Sequence, residues 1–252
     1  MIPKMIHYFW FGQKPLPELT EKCIESWRLI LPEYEIKRWD ESNYDLEVND
    51  YVKEAYEAKK YAFVTDYARL DVLFRYGGIY MDTDVEVVKP LDMFLGHEAF
   101  SGFENVVNVP TGIMAAVAGN PVIKDQLDWY EEKHFLPEFG GSGVSVTNVH
   151  LITDYFIKRG LIQNNTFQTI EGYALYPNIF FCPYQHELET KYFESSTYTI
   201  HHKNGSWIPP EERSKYKGNG SKVKFVVKRT LLCILGKHNL DQLMIWKANK
   251  AK

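Results

Sequence analysis

The stretch AFVTDYARLDVLFRYGGIYMDTD, residues 62–84, joins a helix, a glycine stop and a strand that ends in carboxylates. Large apolar side chains recur at helical spacing up to Gly77, where a pair of glycines supplies the helix stop. The apolar residues 79–81 that follow predict a short buried strand. This strand runs directly into Asp82, so a carboxylate is predicted at the carboxyl end of a strand.

Strand and helix alternate on the N-terminal side of this stretch as well. Residues 5–11 and 35–39 read as strands, and residues 18–31 read as the helix between them. Such alternation over the first hundred residues predicts an α/β fold with an open, mostly parallel sheet and flanking helices. Ligands of such sheets usually bind beyond the carboxyl ends of the strands, which is where Asp82 lies.

The composition predicts one large domain. The chain has 252 residues, of which 45% are hydrophobic, and its net charge of -4 gives no basic field for nucleic acid. Cys23, Cys182 and Cys233 are far apart and odd in number, which indicates a reducing compartment rather than a disulfide framework. Because the first residues also lack the features of a signal peptide, a cytoplasmic location is expected.

Residues 221–252 form a predicted basic helical tail with interspersed apolar side chains. Its basic residues are Lys222, Lys224, Lys228, Arg229, Lys237, Lys247, Lys250 and Lys252, against the single acid Asp241. A basic amphipathic helix of this kind suits an anionic membrane surface, here the inner face of the cell membrane. A solvated helix that packs its apolar face on the domain has the same pattern, and the sequence leaves both interpretations open.

Asp82 and Asp84 place two carboxylates within one turn at the end of the predicted strand. Carboxylate oxygens suit a hard divalent cation, so Mn²⁺ or Mg²⁺ is expected. Two carboxylates cannot enclose such an ion alone, so phosphate oxygens, waters and another protein ligand must complete the shell. Asp-x-Asp by itself is also typical of a solvated turn after a strand.

Several stretches of the chain resemble glycosyltransferase family 32, which is related to Och1-type mannosyltransferases and to the large clostridial glucosylating toxins. Residues 62–69, followed by residues 76–84, resemble that family's DXD sugar-binding signature. Residues 2–12 resemble its first strand, and residues 201–207, HHKNGSW, resemble its C-terminal metal and phosphate segment.

The resemblance implies a single catalytic domain of the GT-A type over residues 1–220. About residues 1–105 would form the nucleotide-sugar half. About residues 106–220 would form the acceptor side and carry the C-terminal metal and phosphate segment.

The resemblance also implies roles for individual side chains. The implied donor-binding residues are Trp10, Asp66, Arg69, Tyr80, Asp82, Ser206 and Trp207, and the implied catalytic residues are Asp66, Arg69, Asp82 and Asp84. Asp66 and Arg69 are three positions apart, so they can share one helix face and hydrogen-bond sugar hydroxyls, although a plain salt bridge has the same spacing. Trp10 would stack on the nucleobase, and a core tryptophan is the alternative.

A third metal ligand is expected from the pair His201 and His202. Neighbouring side chains on a strand alternate, so only one of the two can easily face the metal. The resemblance favours His202, because Ser206 and Trp207 follow it at a spacing close to the family's pattern. The predicted metal ligands are therefore Asp82, Asp84 and His202.

The function that the resemblance implies is a metal-dependent, retaining transfer of a hexose from a nucleotide-sugar. A UDP-sugar is favoured because Trp10 matches the uracil-stacking relatives, and GDP-mannose is the alternative. The expected acceptor is a glycan or lipid-linked oligosaccharide in the synthesis of capsule or another surface polysaccharide, with a protein acceptor also open. A metal-dependent phosphohydrolase or nucleotidyltransferase and a non-catalytic sugar- or Ca²⁺-binding module are the competing classes.

Overall fold

A computed structural model describes residues 1–109, 112–135, 148–183, 195–205 and 220–250 of the chain. The described strands are β1 (Met5–Phe9), β2 (Glu35–Trp39), β3 (Gly78–Met81), β4 (Val85–Val87), β5 (Ala99–Gly102), β6 (Ile113–Ala116), β7 (Gln168–Ile170), β8 (Tyr173–Tyr176) and β9 (Thr199–His201). The described α-helices are α1 (Glu18–Ile30), α2 (Asp50–Glu57), α3 (Tyr61–Tyr76), α4 (Pro121–Asp128), α5 (Asn148–Ile157), α6 (Asn178–Phe181) and α7 (Gly220–Lys250).

The main sheet has seven strands in the order β2-β1-β3-β6-β5-β8-β7. β1 pairs in parallel with β2 and β3, and β5 pairs in parallel with β8, whereas β6 and β7 run the other way. Five of the seven strands therefore share one direction, which confirms the predicted α/β fold with a mostly parallel sheet. β4 and β9 form a separate antiparallel ribbon next to the end of β3.

Side chains of the central strands belong to two apolar clusters, one on each face of the sheet. Ile6 and Ile79 point to the face that also buries Trp27 of α1. Phe9 and Tyr80, which alternate with them, point to the opposite face, where α3 packs. Because successive side chains on a strand face opposite ways, Tyr80 reaches the α3 layer while its neighbours fill the other core.

The turn from α3 into β3 requires glycine. Gly77 and Gly78 have φ of +67° and +102°, a region that favours residues without a side chain. A Cβ on Gly78 would lie 2.6 Å from the carbonyl oxygen of Met5. The two glycines thus let the chain leave the helix and enter the sheet beside β1, which places Asp82 at the sheet edge.

His7 of β1 lies in the core and stabilises this turn through a hydrogen bond. The indole N–H of Trp39 donates to His7 Nδ1 at 3.1 Å, so Nε2 carries the proton and donates to the carbonyl oxygen of Gly77 at 2.8 Å. The side chain is fully buried, and burial lowers the pKa of His7 to about 4. The imidazole is neutral in the folded protein at every pH near neutrality.

We expect His7 to make the protein progressively less stable as the pH falls from about 6.5 to about 4. In that window the unfolded chain protonates the imidazole and the folded chain does not, so the unfolded state gains protons and stability decreases. A depression of the pKa from 6.5 to about 4 corresponds to a loss of about 3 kcal/mol over the window. Urea unfolding at a series of pH values should show a His7→Gln variant with a flatter profile than the wild type. The exposed His238 on α7 supplies the control, because His238→Gln should keep the wild-type slope; equal slopes in all three proteins would contradict the prediction.

The C-terminal helix α7 is broken at Gly236, whose φ of 73° and ψ of 166° lie outside helical values. Leu232 and Leu240 are buried, and the amide of Asn165 lies 3.4 Å from the carboxylate of Asp241. This part of the tail therefore packs on the domain. Among the helices that the structure describes, none combines the length and the hydropathy needed to cross a membrane.

Candidate functional site

The candidate site begins at Asp82, directly after β3. The backbone N–H of Asp82 donates to the carbonyl oxygen of Gly112 at 2.8 Å, which fixes the position of the residue beyond the strand. The hydroxyl of Tyr80 donates to Asp82 Oδ1 in a short hydrogen bond. Tyr80 therefore acts on the site through the carboxylate, and its ring lies on the α3 side of the sheet.

Asp84 is held where the β4–β9 ribbon starts. Its carbonyl oxygen accepts from the backbone N–H of His202 at 3.0 Å, and its Oδ2 accepts from the backbone N–H of Asn204 at 2.8 Å. Its Oδ1 lies 3.3 Å from His201 Nε2. Burial would raise the pKa of Asp84, but the hydrogen bonds from His201 and Asn204 outweigh it and lower the pKa. The carboxylate is thus ionised and ready to bind a cation.

Asp82, Asp84 and His201 form a three-residue cluster that could hold a metal ion. His201 Nε2 lies 3.8 Å from Asp82 Oδ2, and the three candidate ligand atoms all lie within 4.8 Å of one another. Two carboxylates and one imidazole on one side, open to further oxygen ligands, suit Mn²⁺ or Mg²⁺. Burial opposes protonation of His201, but Asp84 and Cys182 raise its pKa, so a bound cation would displace a proton.

The structure places His201, and not the predicted His202, in the metal cluster. In the antiparallel ribbon Val85 pairs with His201, and Glu86 pairs with Ile200. His202 therefore falls on the face of Glu86, and its Nε2 lies 2.8 Å from Glu86 Oε2. In this register His201 lies with the two carboxylates, and His202 lies on the opposite face of the ribbon with Glu86.

The space for the His201 ring depends on Gly112. A Cβ at this position would lie 2.7 Å from His201 Nδ1 and 3.4 Å from Asp82 Oδ2. On its outer side the ring meets the buried Cys182, whose Sγ lies 4.0 Å from Nδ1. The imidazole is therefore held between a glycine and a thiol with Nε2 aimed at the carboxylates.

We expect His201→Ala to weaken Mn²⁺ binding and His202→Ala to leave it nearly unchanged. Changes in the shell around a bound metal cost about 10- to 100-fold in affinity, and loss of a direct ligand should cost at least as much. Calorimetric titration with Mn²⁺ measures both variants, and each serves as the control for its neighbour. A larger loss in His202→Ala than in His201→Ala would show that the ribbon register described above is not the one that binds metal.

Arg69 and Asp66 of α3 lie beside the metal cluster. Arg69 Nη2 lies 2.9 Å from Asp66 Oδ1 and 3.7 Å from Asp82 Oδ1, and the guanidinium stands 4.5 Å from the centre of the Tyr80 ring. Only 5% of the Arg69 side chain is exposed. The pair is thus no solvated surface salt bridge. It joins α3 to the end of β3.

Asn148 at the start of α5 completes this arrangement, and no motif in the sequence points to it. Its amide nitrogen donates to Asp66 Oδ1 at 3.2 Å. Burial raises the pKa of Asp66 to about 6, although Arg69 and Asn148 both act to lower it. Asp66 is therefore mostly ionised at neutral pH, and its carboxylate is bonded by both Arg69 and Asn148.

Trp10 follows β1 at the same sheet edge as Asp82, because β1 and β3 are parallel neighbours. Its side chain is only partly buried, so it is not a core residue, and its indole N–H donates to the carbonyl oxygen of Lys14 at 2.6 Å. The indole is thus anchored to the loop that follows β1. The predicted donor residues Ser206 and Trp207 lie outside the described residues.

Fold and site together define an α/β protein with a carboxylate–imidazole cation site at the carboxyl edge of a mostly parallel sheet. Residues 17–101 match the family described as a glycosyltransferase sugar-binding region containing the DXD motif. This match confirms, over residues 17–101, the resemblance to DXD-motif glycosyltransferases that was stated from the sequence. The sheet and the family match agree with the GT-A type that the resemblance implied.

Individual relatives are also glycosyltransferases. The uncharacterized glycosyltransferase L373 of Acanthamoeba polyphaga mimivirus is 27% identical over 224 residues, which cover 83% of this chain and 85% of the relative. Inositol phosphoceramide mannosyltransferase 3 of Schizosaccharomyces pombe is 30% identical over 126 residues, covering 48% of this chain and 35% of the relative. The chain thus spans about a third of that yeast protein. The solved PaToxG glycosyltransferase is 20% identical, with 62% of this chain and 69% of that chain covered and a TM-score of 0.47.

Proposed function

We propose that the chain is a metal-dependent, retaining hexosyltransferase that uses a nucleotide-sugar donor, with a UDP-sugar as the first choice. The acceptor is a glycan or a lipid-linked oligosaccharide in the synthesis of a surface polysaccharide. The observation that carries this proposal is the cluster of Asp82, Asp84 and His201 beside the buried Asp66–Arg69 pair. The cluster suits a diphosphate-bound cation, and the pair suits the hydroxyls of a sugar.

Transfer of a sugar requires stabilisation of a departing nucleoside diphosphate. A divalent cation, when bound, supplies positive charge to that leaving group. Asp82, Asp84 and His201 would hold it, while Arg69 adds a fixed, buried positive charge next to Asp82. Asp66 would accept hydrogen bonds from the donor sugar and so orient its anomeric carbon towards the acceptor hydroxyl.

The proposed stereochemical course is retention of the anomeric configuration by a front-face reaction within one ion pair. In such a reaction the glycosidic bond to the diphosphate breaks, the acceptor oxygen bonds to the anomeric carbon on the same face, and the acceptor proton passes to the leaving phosphate. The product configuration can be followed by NMR during turnover. Inversion of configuration, or a covalent glycosyl-enzyme trapped with a fluorinated donor, would refute this course.

The donor base and the acceptor class are supported by different observations. The partly buried Trp10 at the sheet edge supports a stacked uracil. The yeast relative named inositol phosphoceramide mannosyltransferase supports the second candidate, a GDP-mannose donor with a lipid-linked acceptor.

A thermal-shift screen of UDP, GDP and their common sugars, each with and without Mn²⁺, tests the proposal directly. Ligands that bind only the folded state raise the melting temperature. A ligand present at about 100 times its Kd stabilises the folded state by about 2.7 kcal/mol. A Mn²⁺-dependent response to one nucleotide family and release of that nucleoside diphosphate during turnover are expected. Hydrolysis of nucleotides that carry no sugar would favour a phosphohydrolase, and sugar or Ca²⁺ binding without nucleotide release would favour a binding module.

The proposal also places the enzyme in the cytoplasm, with α7 resting on the inner face of the cell membrane. Leu232 and Leu240 attach the helix to the domain, while Ile234 and Trp246 are 71% and 53% exposed. Apolar side chains left exposed on a lysine-rich helix support contact with anionic lipid.

We expect the double substitution Ile234→Ser and Trp246→Ser to lower partitioning onto phosphatidylserine vesicles about tenfold, because it removes exposed apolar surface that would enter the interface. Vesicle co-sedimentation measures the change. The control replaces Ile162 and Phe167, which are 63% and 51% exposed away from the tail, by serine. Equal partitioning of both double variants would contradict the membrane role of the tail.

A further inference from the structure

A cavity of about 190 Å³ lies between α4 and α5, outside the cation site. Its walls include the apolar Leu70 and Ile152, the aromatic Trp129 and the amides of Gln126 and Asn148. Trp129 is 43% exposed, so the ring stands at the mouth of the cavity. The cavity therefore combines an open aromatic rim with polar groups further in.

Gln126 carries an amide whose hydrogen bonds are not made within the described part of the chain. Its oxygen and its nitrogen are both buried, neither has a partner there, and the residue is 5% exposed. A buried amide without partners destabilises a protein, so a ligand or a water that paired with Gln126 would stabilise the fold. A group that donates and accepts at once, such as a hydroxyl, would satisfy both amide atoms.

The charged groups around the cavity balance one another. The lining carries two acids, Asp125 and Asp154, and two bases, Lys158 and Arg159. Arg159 Nη2 lies 3.2 Å from Asp125 Oδ2. The lining therefore offers no net charge to a phosphate or another ion. Apolar walls, an aromatic rim and unmet hydrogen bonds suit a neutral sugar ring, which has both C–H faces and hydroxyls.

Asn148 connects the cavity to the candidate site. Asn148 lines the cavity and also donates to Asp66 Oδ1 at 3.2 Å. Asp66 is the partner of Arg69, which in turn lies 3.7 Å from Asp82 Oδ1. A ligand in the cavity would thus lie behind the residues that orient the donor sugar, separated from the reacting atoms by the Asn148 amide.

The geometry points to a subsite for the acceptor glycan: the cavity binds a neutral sugar residue of the acceptor, at least one residue away from the hydroxyl that reacts. This inference rests on the proposed transfer to a glycan. Gln126 bonds the hydroxyls of that residue and Trp129 covers it at the mouth. The subsite recognises a sugar residue of the acceptor that takes no part in the reaction, and it thereby sets acceptor specificity. The donor sugar is bound separately, by Asp66 and Arg69.

Saturation-transfer NMR with methyl α-mannoside, methyl α-glucoside and methyl β-galactoside tests the subsite. Wild-type protein should give a signal with at least one glycoside. Gln126→Leu should reduce that signal about tenfold, because the loss of one hydrogen bond to the ligand weakens binding by about that factor. The same substitution should raise the melting temperature by about 3 °C, because it removes an unpaired buried amide. A purely structural glutamine would show the opposite thermal change.

Trp129→Ala, at the half-exposed rim, gives a second variant that does not disturb the buried wall, and it should also reduce the signal. The control Gln242→Leu makes the same chemical change at an exposed position of α7 and should keep it. No signal with any glycoside on the wild type, or an unchanged signal in both cavity variants, overturns the subsite. The thermal responses of wild-type protein to UDP and to GDP, each with Mn²⁺, are recorded in parallel. A response to either nucleotide without glycoside binding rejects the subsite alone, and glycoside binding without either response rejects the proposed donor chemistry alone.

Discussion

Replacement of Asp84 by asparagine is expected to lower metal-dependent turnover by about 10²- to 10³-fold, the range seen when one fixed electrostatic group is removed from a catalytic site. Asparagine keeps the size of the side chain and can still accept from the Asn204 N–H, so the ribbon should stay in place. The change removes only the charge that a cation requires and the acid partner of His201. Initial rates at saturating donor over a range of Mn²⁺ concentrations measure the effect.

The loss should show first as a weaker response to metal. With one carboxylate gone, the cluster keeps Asp82 and His201, and more Mn²⁺ is needed to reach half-maximal rate. Raising Mn²⁺ should recover part of the rate. The unfolding free energy without metal should change far less than the activity, because the backbone bonds of the ribbon do not involve the charge.

Glu86→Gln is the matched control for Asp84→Asn. The residue lies two positions along the same ribbon, carries the same carboxylate and faces His202 on the side away from the cluster. It should retain activity within about twofold, as expected for a solvent-exposed polar contact of small energetic value. Full metal-dependent activity in Asp84→Asn, or an equal loss in Glu86→Gln, would remove Asp84 from the metal site.

The part of the site around Asp82 could be predicted from the sequence because its residues are close neighbours in the chain. The helix of residues 61–76, the glycine pair and the strand that ends at Asp82 follow one another within about two dozen positions. Their order is fixed by helix and strand periodicity and by the positive φ that Gly77 and Gly78 adopt. The α/β class follows from the same alternation.

The third residue of the Asp82, Asp84 and His201 cluster could not be predicted in the same way. Its choice depends on the register of β4 against β9, which joins Val85 to His201 across more than a hundred residues. A shift of one residue would turn His202 to the metal and His201 away, since neighbouring side chains on a strand face opposite sides. No periodic pattern near either histidine carries that information. Asn148 and Gly112 were missed for the same reason, because their contacts are made only in the folded chain.

Replacement of Arg69 by methionine is expected to destabilise the protein by about 3–5 kcal/mol, the cost of leaving one partner of a buried ion pair without its counter-charge. The guanidinium is buried against Asp66 and the Tyr80 ring, and its Nε donates to the carbonyl oxygen of Thr65 at 3.1 Å. Without Arg69 the pKa of Asp66, already raised to about 6 by burial, should rise further, because the guanidinium acts to lower it. Urea unfolding at pH 7 measures the loss of stability.

The double variant Asp66→Asn with Arg69→Met separates stability from function. Removing the buried carboxylate as well should restore most of the lost stability, so the two substitutions should be strongly non-additive. Turnover should remain low in the double variant, because it lacks both the carboxylate that is proposed to orient the sugar and the positive charge beside Asp82. Additive destabilisation would show that the pair is not coupled in the folded protein, and normal turnover in the stable double variant would show that the pair serves the fold and not the sugar. The buried Asp66–Arg69 pair is therefore the place where a structural and a catalytic role can be told apart by one double-mutant cycle.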